Sequence, residues 1–418
     1  MGQYKRMFLA LLTIIGLAAC QSGPPPFECT DAIDCVTIGP GEPIKVGAIQ
    51  TLSGEVSPLG IDQVRAIELI MADRDNQLLG HPLQLQSEDS LCSGEGGTTA
   101  ALKIVADPQI IGIIGTTCSG EAVTAAKVMS EAGLVMISGS NTSPSLTSIT
   151  GEPGPNWQPG YFRTAHNDAV QGRVAATFAF EELGIRKAAT INDGDAYTQG
   201  LTRVFNQAFT ELGGEIVLAT SVNKGDADMR PVLSSVADSG AELLYFPIFE
   251  PEGNFIALQT KEVEGLENIV LMGADALLTD TFLEVVGSAG IGMFFSGPAS
   301  AIGSDYDAFV TQYKSNYGEA PLTPWHAFAA DAVNILFQAI ESSAVQDPKA
   351  DGTLHIGRQA LREAISATSG FQGLTGTLAC DEYGDCSASK MQIVRLNDPA
   401  AGIEGLANNV VYTYTPGQ

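Results

Sequence analysis

Two loops rich in hydroxyl side chains each follow a short apolar stretch of the chain. Residues 110–114 form a β-branched run that predicts a strand buried on both faces, and the turn after it places Ser119 at the start of a predicted helix. A second predicted strand, residues 134–137, leads into the loop 138–145. Backbone N–H groups at a helix N-terminus and at the carboxyl ends of parallel strands favour an anion such as a carboxylate. Considered alone, each loop is better explained as an ordinary helix cap or turn.

The sequence motifs of common enzyme classes are absent. The chain contains no G-x-S-x-G elbow, no Walker loop and no H-E-x-x-H, and residues 94–97 do not reproduce the G-x-G-x-x-G fingerprint. Ser119 has no histidine near it in sequence, although a distant one could approach in space. The four histidines show no metal-ligand spacing. We therefore expect a protein that is not an enzyme and that uses no metal and no cofactor.

The first residues have the pattern of a bacterial export signal. Lys5 and Arg6 precede an apolar run over residues 7–19, and small residues lead into Cys20 as Leu-Ala-Ala-Cys. This arrangement resembles the lipobox of bacterial lipoproteins, in which the cysteine is acylated and becomes the first mature residue. An uncleaved membrane anchor is the weaker alternative, because the run is shorter than the roughly 20 residues of a spanning helix. We therefore expect residues 1–19 to be a signal peptide and Cys20 to carry the lipid.

The residues after Cys20 differ in composition from the rest of the chain. Residues 20–43 contain three consecutive prolines and a Gly-Pro-Gly, which predicts a lipid anchor followed by a Pro/Gly tether. The body that follows is long enough for two domains of ordinary size, and the apolar fraction of 44% supplies their cores. The formal net charge of −27 argues against a nucleic acid as partner, because its phosphate backbone would be repelled.

Six further cysteines fit an oxidising compartment. Cys29 and Cys35 are close in sequence, as are Cys380 and Cys386, which leaves Cys92 with Cys118. Sequence alone allows 15 pairings of six cysteines, so local pairing is a hypothesis. A zinc site is the rival interpretation, and it is disfavoured because the chain has no C-x-x-C.

Predicted strands and helices alternate from residue 44 onwards, which indicates a doubly wound and mostly parallel sheet. The alternation restarts near Asp168 and gives a second α/β unit. Three predicted helices follow, over residues 306–317, 325–343 and 354–368. A β-like tail comes after them, over residues 390–396 and 410–414. Two α/β lobes with late returning segments would have a cleft between them.

The order of these elements and four short phrases resemble the type I periplasmic binding proteins, specifically the branched-chain amino acid (Leu/Ile/Val) receptors of ABC importers. The phrases are residues 44–47 with 52–54, residues 115–119, residues 134–144, and residues 162–164 with 168–172. The resemblance implies two Rossmann-like lobes joined by a three-segment hinge, with crossings near residues 163–166, 295–299 and 373–377. The expected lobes are residues 44–164 plus 298–375, and residues 165–297 plus 376–418.

The resemblance also implies a set of ligand-binding residues. Ser119 and Thr142 match the residues that bind the ligand carboxylate, and Asn141 matches one that contributes backbone. Tyr197 matches a tyrosine that reaches across from the second lobe, and Asp275 matches the acid that pairs with the ligand ammonium. For Tyr197 the alternative is core packing, and for Asp275 it is a solvated loop acid or helix cap.

This sequence departs from the family at several of these positions. Leu59 stands where a large aromatic residue is common, and Phe249 stands where tyrosine is common. Asp275 is one methylene shorter than the family glutamate. These changes predict a reshaped pocket, so the resemblance supports a carboxylate site more strongly than it supports one particular amino acid.

Two cysteine pairs compare differently with the family. The resemblance supports the Cys92–Cys118 disulfide, because both cysteines fall on positions that are bridged there. Cys380 and Cys386 flank a hairpin turn that is usually unbridged, so this bridge would be the protein's own addition.

The function implied by the resemblance is a substrate-binding lipoprotein of an ABC importer. It would capture a small carboxylate-bearing ligand, such as a branched-chain amino acid, in the cleft and deliver it to a transporter permease. We expect an exported protein anchored to the cell envelope by lipid on Cys20, on the periplasmic side in a Gram-negative host. The alternatives are a ligand-sensing subunit of the same fold, or a receptor for an amide, urea or an aromatic acid.

Overall fold

The structure, a computed structural model, describes residue 25 and residues 27–416. The predicted signal peptide and Cys20 lie outside these described residues. The first unit contains β1 (Cys35–Ile38), β2 (Ile44–Gln50), α1 (Ser57–Asp73), β3 (Gln77–Leu78), β4 (His81–Asp89), α2 (Gly94–Val105), β5 (Ile110–Gly115), α3 (Ser119–Glu131), β6 (Val135–Ser138), β7 (Ser148–Ile149), β8 (Glu152–Pro153) and β9 (Tyr161–Arg163).

The strands of the first unit form a six-stranded sheet. Its order is β3-β4-β2-β5-β6-β9, with β3 antiparallel at one edge and the other strands parallel. Every residue of β5 and β6 is buried, which explains why both strands are continuous apolar runs rather than alternating patterns. The carboxyl ends of β5 and β6 therefore place the two hydroxyl-rich loops side by side at one edge of this sheet.

The second unit contains α4 (Asp168–Thr177), β10 (Lys187–Asn192), α5 (Ala196–Glu211), β11 (Glu215–Ser221), α6 (Arg230–Ser239), β12 (Leu243–Tyr245), α7 (Glu252–Gln259), β13 (Val270–Ala274), α8 (Asp280–Val286) and β14 (Phe294–Pro298). The remaining elements are α9 (Ser304–Tyr317), α10 (Trp325–Ser343), β15 (Ala344–Gln346), β16 (Leu354–Gly357), α11 (Arg358–Ser366), β17 (Phe371–Gly373), β18 (Gly376–Leu378), β19 (Met391–Arg395), α12 (Gly402–Ala407) and β20 (Val410–Tyr414).

The second sheet has seven strands in the order β11-β10-β12-β13-β14-β19-β20. The first five are parallel, β19 pairs antiparallel with β14, and β20 pairs antiparallel with β19 at the edge. Helices α9, α10 and α11 return to the first sheet, where Phe309, Leu336 and Ile365 share one apolar core with Ile114 and Ile137. The expected fold of two doubly wound lobes is confirmed.

The chain passes between the lobes after β9, after β14 and before β19. The first two crossings fall near the predicted segments, but the third lies later than residues 373–377. Leu378 and Cys386 belong to the apolar core of the first lobe, and the Cys386 N–H donates to the Arg163 carbonyl oxygen over 2.9 Å. We therefore propose a division in which residues 376–386 stay with the first lobe and the second lobe resumes at β19.

Part of the predicted tether is folded into the first lobe. Strand β1 pairs antiparallel with β16, and Val36 and Ile38 are buried in the core. The Asp31 carboxylate accepts hydrogen bonds from the backbone N–H groups of Gln359 and Ala360 at the start of α11. The apolar alternation at residues 36 and 38 is too short to stand out in a proline-rich segment, which explains the error.

A second correction concerns residues 354–368, which we predicted to be one helix. The structure has strand β16 over the first four residues, and helix α11 begins at Arg358. Leu354 and Ile356 alternate with polar neighbours and pair with β1 on one side and β15 on the other. The partner strands decide this conformation, and they are distant in sequence.

Within residues 27–416 the structure has three disulfides, and they are the three predicted pairs: Cys29–Cys35, Cys92–Cys118 and Cys380–Cys386. Among the helices of the described residues, none combines the length and the apolar character that crossing a membrane requires.

Shortening a core side chain of β1 tests whether this strand belongs to the folded body. We expect Ile38→Ala to lower the free energy of unfolding by about 2–4 kcal/mol, because Ile38 is 1% exposed and its removal leaves a cavity. Urea unfolding followed by circular dichroism measures the change. The control is Ile302→Ala, the same substitution at a side chain that is 86% exposed. Equal effects of both variants would show that β1 is a tether segment after all.

Candidate functional site

The two hydroxyl-rich loops meet at the carboxyl edge of the first sheet. Ser119 is the first residue of α3, and its Oγ accepts hydrogen bonds from the backbone N–H groups of Thr142 and Ser143, each over 3.2 Å. The Ser138 Oγ in turn accepts from the N–H groups of Ser140 and Asn141. The second loop is therefore folded around hydroxyl groups, and the structure brings Ser119 and Thr142 together as predicted.

Asn141 holds this loop to the neighbouring strands. Its amide nitrogen donates to the Thr116 carbonyl oxygen over 2.9 Å, and its Oδ1 accepts from the Tyr161 hydroxyl over 3.0 Å. Its own carbonyl oxygen accepts from Arg163, whose side chain is fully buried. These contacts position the loop, and the predicted contribution of Asn141 to ligand binding stays a prediction.

Arg163 connects the loop to the hinge. Its Nη1 donates to the Ser143 carbonyl oxygen over 2.8 Å, its Nη2 donates to the Thr147 Oγ1 over 2.6 Å, and its Nε donates to the Asp385 carboxylate. Asp385 lies in the bridged hairpin between Cys380 and Cys386 and also accepts from Asn167. The hairpin disulfide thus stabilises the ion pair that fixes the first crossing.

The second lobe supplies a carboxylate and a tyrosine to the opposite wall. Asp275 follows β13 directly, and the hydroxyl of Tyr197, in the first turn of α5, donates to its Oδ1 over 3.0 Å. The Phe249 ring lies 5.2 Å from the Tyr197 ring between centroids. Asp275 and Tyr197 are 2% and 3% exposed, which excludes the alternative of a solvated loop acid for Asp275.

Gln171 organises the groups around Asp275. Its Nε2 donates to the Asp275 Oδ1 and to the Ser296 carbonyl oxygen, while its Oε1 accepts from the His166 Nε2. Burial lowers the pKa of His166 to about 4, so this imidazole is neutral at pH 7. The neutral histidine fixes the orientation of the Gln171 amide but adds no positive charge near Asp275.

A second carboxylate, Asp168, lies at the start of α4. Its Oδ2 accepts from the Thr142 Oγ1 over 3.1 Å, which joins the second lobe to the first. Its Oδ1 has no hydrogen-bond partner among the residues that the structure describes. Asp168 is fully buried, and both this burial and the nearby Asp275 raise its pKa well above the usual value for aspartate.

Burial likewise raises the pKa of Asp275 to about 6, although hydrogen bonds from Gln171 and Tyr197 lower it. Two carboxylates near each other in an apolar interior cannot both be charged without cost. A positive charge close to them would favour the charged form of both. The arrangement is therefore suited to a ligand that carries a positive group.

The groups of both lobes enclose a narrow cavity. Its lining consists of Leu59, Thr117, Ser119, Ser140, Tyr197, Phe249, Asp275, Ala276 and Trp325. The space open to the centre of a water molecule is about 10 Å³, roughly what a single water requires. Small movements of the lobes would be needed to admit a larger molecule. Five of the seven predicted ligand residues line this cavity, while Asn141 and Thr142 lie behind it in the loop.

Sequence reasoning missed three important residues. Asp168 and Gln171 belong to a phrase that we used only to identify the family, yet their spacing of three places both on one face of a helix start. Trp325 is the first residue of α10 and lines the cavity from the first lobe. The sequence signal that could have identified it is a bulky aromatic residue at the start of a predicted helix. The roles of all these residues in binding are proposals.

Comparison with known proteins gives a consistent result. A family model described as "Periplasmic binding protein" matches residues 43–402. A Leu/Ile/Val-binding protein homolog 3 of Brucella melitensis is 28% identical over 362 residues, covering 85% of this chain and 92% of that protein. The crystal structure of a leucine-binding protein, LivK, of Thermotoga maritima has a TM-score of 0.74 at 24% identity and covers 89% of this chain and 99% of its own.

A third match has a different ligand. The structure of a solute-binding protein of an R. palustris ABC transporter in complex with benzoate has a TM-score of 0.72 at 22% identity, and it covers 85% of this chain and 93% of its own. At these identities the solved structures show the same fold as this chain, and the ligands named for them belong to those proteins.

The raised pKa of Asp275 predicts a pH dependence of stability. Its pKa rises from about 4 in the unfolded chain to about 6 in the folded protein, so the folded state binds the extra proton. The free energy of unfolding therefore falls as pH rises from 4 to 6, by up to about 3 kcal/mol from this group. We expect Asp275→Asn to lose this part of the pH slope.

Urea unfolding without ligand between pH 4 and pH 7.5 measures the slope. Asp238→Asn, which removes an exposed acid of the second lobe, is the matched control and should keep the wild-type slope. The slopes are compared rather than the absolute stabilities, because the new amide in Asp275→Asn changes the free energy of unfolding by the same amount at every pH. An unchanged slope in Asp275→Asn would contradict the raised pKa of this buried carboxyl.

Proposed function

The chain belongs to the periplasmic binding protein family, and on that premise we propose that it binds a small ligand with both a carboxylate and an ammonium group, such as an apolar α-amino acid. The family consists of exported solute-binding proteins, so the chain is not an enzyme. We propose that the ligand binds in the cleft between the lobes and that the closed complex delivers it to the permease of an ABC importer.

The observation that supports this proposal most strongly is the pair of buried acids on the second-lobe side. Asp275 lines the cavity and Asp168 does not, but both have raised pKa values, and a ligand ammonium close to Asp275 would favour the charged form of both. Bringing a cation next to them removes a cost that the folded protein otherwise carries. This gain is specific for ligands with a positive group.

The first-lobe side has the opposite character. Ser119 and the N-terminus of α3 offer a hydroxyl and backbone N–H groups, and Ser140 and Thr117 add hydroxyls at the same wall. Helix N-termini of this length favour a carboxylate through their N–H groups and their dipole. An α-amino acid is the small molecule whose two charges match these two sides.

The remaining walls are apolar. Leu59, Phe249, Trp325 and the ring of Tyr197 surround the cavity between the polar groups. A hydrophobic side chain on the ligand would bury apolar surface against them, at about 25 cal/mol per Å². Because Phe249 has no hydroxyl, this wall offers little to a polar side chain.

An aromatic acid is the second candidate, because a structurally similar protein was crystallised with benzoate. The aromatic residues around the cavity would suit such a ligand. However, benzoate has no positive group, so Asp275 and Asp168 would have to stay protonated beside it. We therefore rank it below an amino acid, together with amides, urea and a purely sensory role.

Attachment to the envelope is part of the proposal. The pattern that ends at Cys20 supports lipid on this cysteine, and the segment from Cys29 to Ile38 ties the chain to the first lobe alone. The second lobe would then be the one that moves during closure.

Thermal shift with a ligand panel tests the proposal. The full chain with Cys20→Ala is heated with L-leucine, L-isoleucine, L-valine, benzoate, 4-hydroxybenzoate, acetamide or urea. A ligand at 100 times its Kd should stabilise the protein by about 2.7 kcal/mol, which raises the Tm measurably. We expect a shift with at least one amino acid and none with the benzoates.

Two variants locate the site. We expect Asp275→Asn to weaken amino acid binding on the order of 100-fold, because a buried ammonium loses its partner. Ser119→Ala should weaken binding by roughly tenfold through one lost hydrogen bond to a charged group. Asp238→Asn and Ser234→Ala remove the same groups at exposed positions and should bind normally. A rise in Tm with benzoate that is still seen in Asp275→Asn would overturn the assignment of an amino acid ligand, while the cleft would remain the binding site.

A further inference from the structure

At the mouth of the cleft, two side chains of the second lobe contact two backbone groups of the first. Asp195 precedes α5, and its Oδ1 accepts a hydrogen bond from the Gly120 N–H of α3 over 3.2 Å. The Lys224 Nζ donates to the Cys92 carbonyl oxygen over 3.3 Å and to the Asp195 Oδ2 over 3.3 Å. The four residues form one connected group across the two lobes.

Asp195 is held in place by its own lobe before it reaches the first. Its Oδ1 also accepts from the Tyr197 N–H over 2.9 Å, as the N-cap of α5, and its N–H donates to the Asp193 carboxylate. The carboxylate faces the N-terminus of α3, a 13-residue helix whose dipole favours a negative charge there. Burial raises the pKa of Asp195, and the neighbouring Lys224 opposes this rise.

The first-lobe half of this contact is fixed by a disulfide. Cys92 supplies the carbonyl oxygen that Lys224 contacts, and Gly120 lies two residues after Cys118. The Cys92–Cys118 bridge therefore joins the two segments that carry the contacted backbone groups. Both groups keep their spacing when the lobes separate, so they can receive Asp195 and Lys224 together.

Gly120 is the point of closest approach. A Cβ at this position would lie 2.3 Å from the Asp195 Oδ2, and the three atoms nearest to it would all belong to Asp195. No backbone strain requires glycine here, because its φ is not positive. The need for glycine therefore arises only when the second lobe is in contact with the first.

The group is separate from the ligand cavity. Asp195, Lys224, Gly120 and Cys92 are not among the residues that line it. The group adjoins the cavity through Phe249, whose ring centroid is 5.6 Å from the Lys224 Nζ, and through Tyr197, whose N–H donates to Asp195. Gly120 also directly follows Ser119 in the chain. The four residues of the group can affect the lifetime of a closed complex without touching the ligand.

We propose that Asp195 and Lys224 form a latch that closes on the Gly120 N–H and the Cys92 carbonyl oxygen, and that this latch sets the dissociation rate of the ligand. The proposal rests on the proposed function, since it assumes that a ligand is released when the lobes open. The latch gives the cleft a second source of affinity besides the ligand contacts.

The test uses Gly120→Ala in the full chain with Cys20→Ala. The first lobe alone should accept the methyl group, and alanine is the better helix former. In the closed protein the methyl group meets Asp195. We expect L-leucine to dissociate about tenfold faster, which is the effect of losing one charge-assisted hydrogen bond. The resistance of the protein to urea should be unchanged or slightly higher. Stopped-flow fluorescence gives the dissociation rate.

The matched control is Gly94→Ala. Gly94 starts the neighbouring helix α2, and a Cβ there would meet the nearest atom at an ordinary 3.5 Å. This variant should dissociate at the wild-type rate. Adding Asp195→Ser to Gly120→Ala should speed dissociation little further, because serine still caps α5 and the carboxylate contact with α3 is already lost in Gly120→Ala.

Lys224→Gln is a second variant that does not depend on how α3 accepts a side chain. We expect about threefold faster dissociation, as for a partly exposed ion pair with an added hydrogen bond. Lys261→Gln, which removes an exposed lysine of the same lobe, should have no effect. Wild-type dissociation rates in both Gly120→Ala and Lys224→Gln would overturn the latch.

A distance measurement separates this proposal from the proposed function. Fluorophores on Thr99→Cys and Ser234→Cys report the separation of the lobes with and without L-leucine. A wild-type chain that does not respond to L-leucine counts against the proposed ligand. The latch is judged independently of the ligand. We expect a longer distance between the labels in Gly120→Ala than in Gly94→Ala. Equal distances in the two variants, both with and without L-leucine, would contradict the latch.

Discussion

The site depends on two carboxylates that are buried near each other, Asp275 and Asp168. Removing a carboxylate from water is costly, and a like charge nearby adds to the cost. The protein surrounds Asp275 with hydrogen-bond donors from Gln171 and Tyr197, and it gives Asp168 one donor from Thr142. These contacts lower the cost without removing it, so a positive charge close to the two acids would stabilise the folded protein.

Other parts of the structure follow from the need to hold these groups across a movable cleft. Asp275 comes from the end of β13 in the second sheet, while Thr142 comes from the loop after β6 in the first. Arg163 fixes that loop through the Ser143 carbonyl oxygen and is itself paired with Asp385 near the hinge. The first-lobe wall is thus tied to the hinge. In the closure that we propose, the second-lobe wall approaches it as one body and brings its acids to the ligand.

The sequence predicts the architecture well, because continuous apolar runs such as β5 and β6 and the restart at Asp168 are local signals. It also leads to Ser119, Tyr197 and Asp275, which line the cavity. Their binding roles came from a family resemblance rather than from spacing, and they stay predictions. It fails where the decisive partner is far away in the chain. Strands β1 and β16 stabilise each other across more than 300 residues of sequence, and the third crossing is delayed by core contacts of Cys386. Asp168 was overlooked because its burial depends on both lobes.

The central claim is that the ligand's positive group charges the buried acids, and calorimetry tests it most directly. L-leucine is titrated into the protein at pH 6 in two buffers with different ionisation enthalpies, and the difference in heat gives the protons exchanged. Since Asp275 has a pKa of about 6 before binding, the account predicts a net release of about half a proton or more per ligand. Binding with no proton release, or with proton uptake, would contradict it.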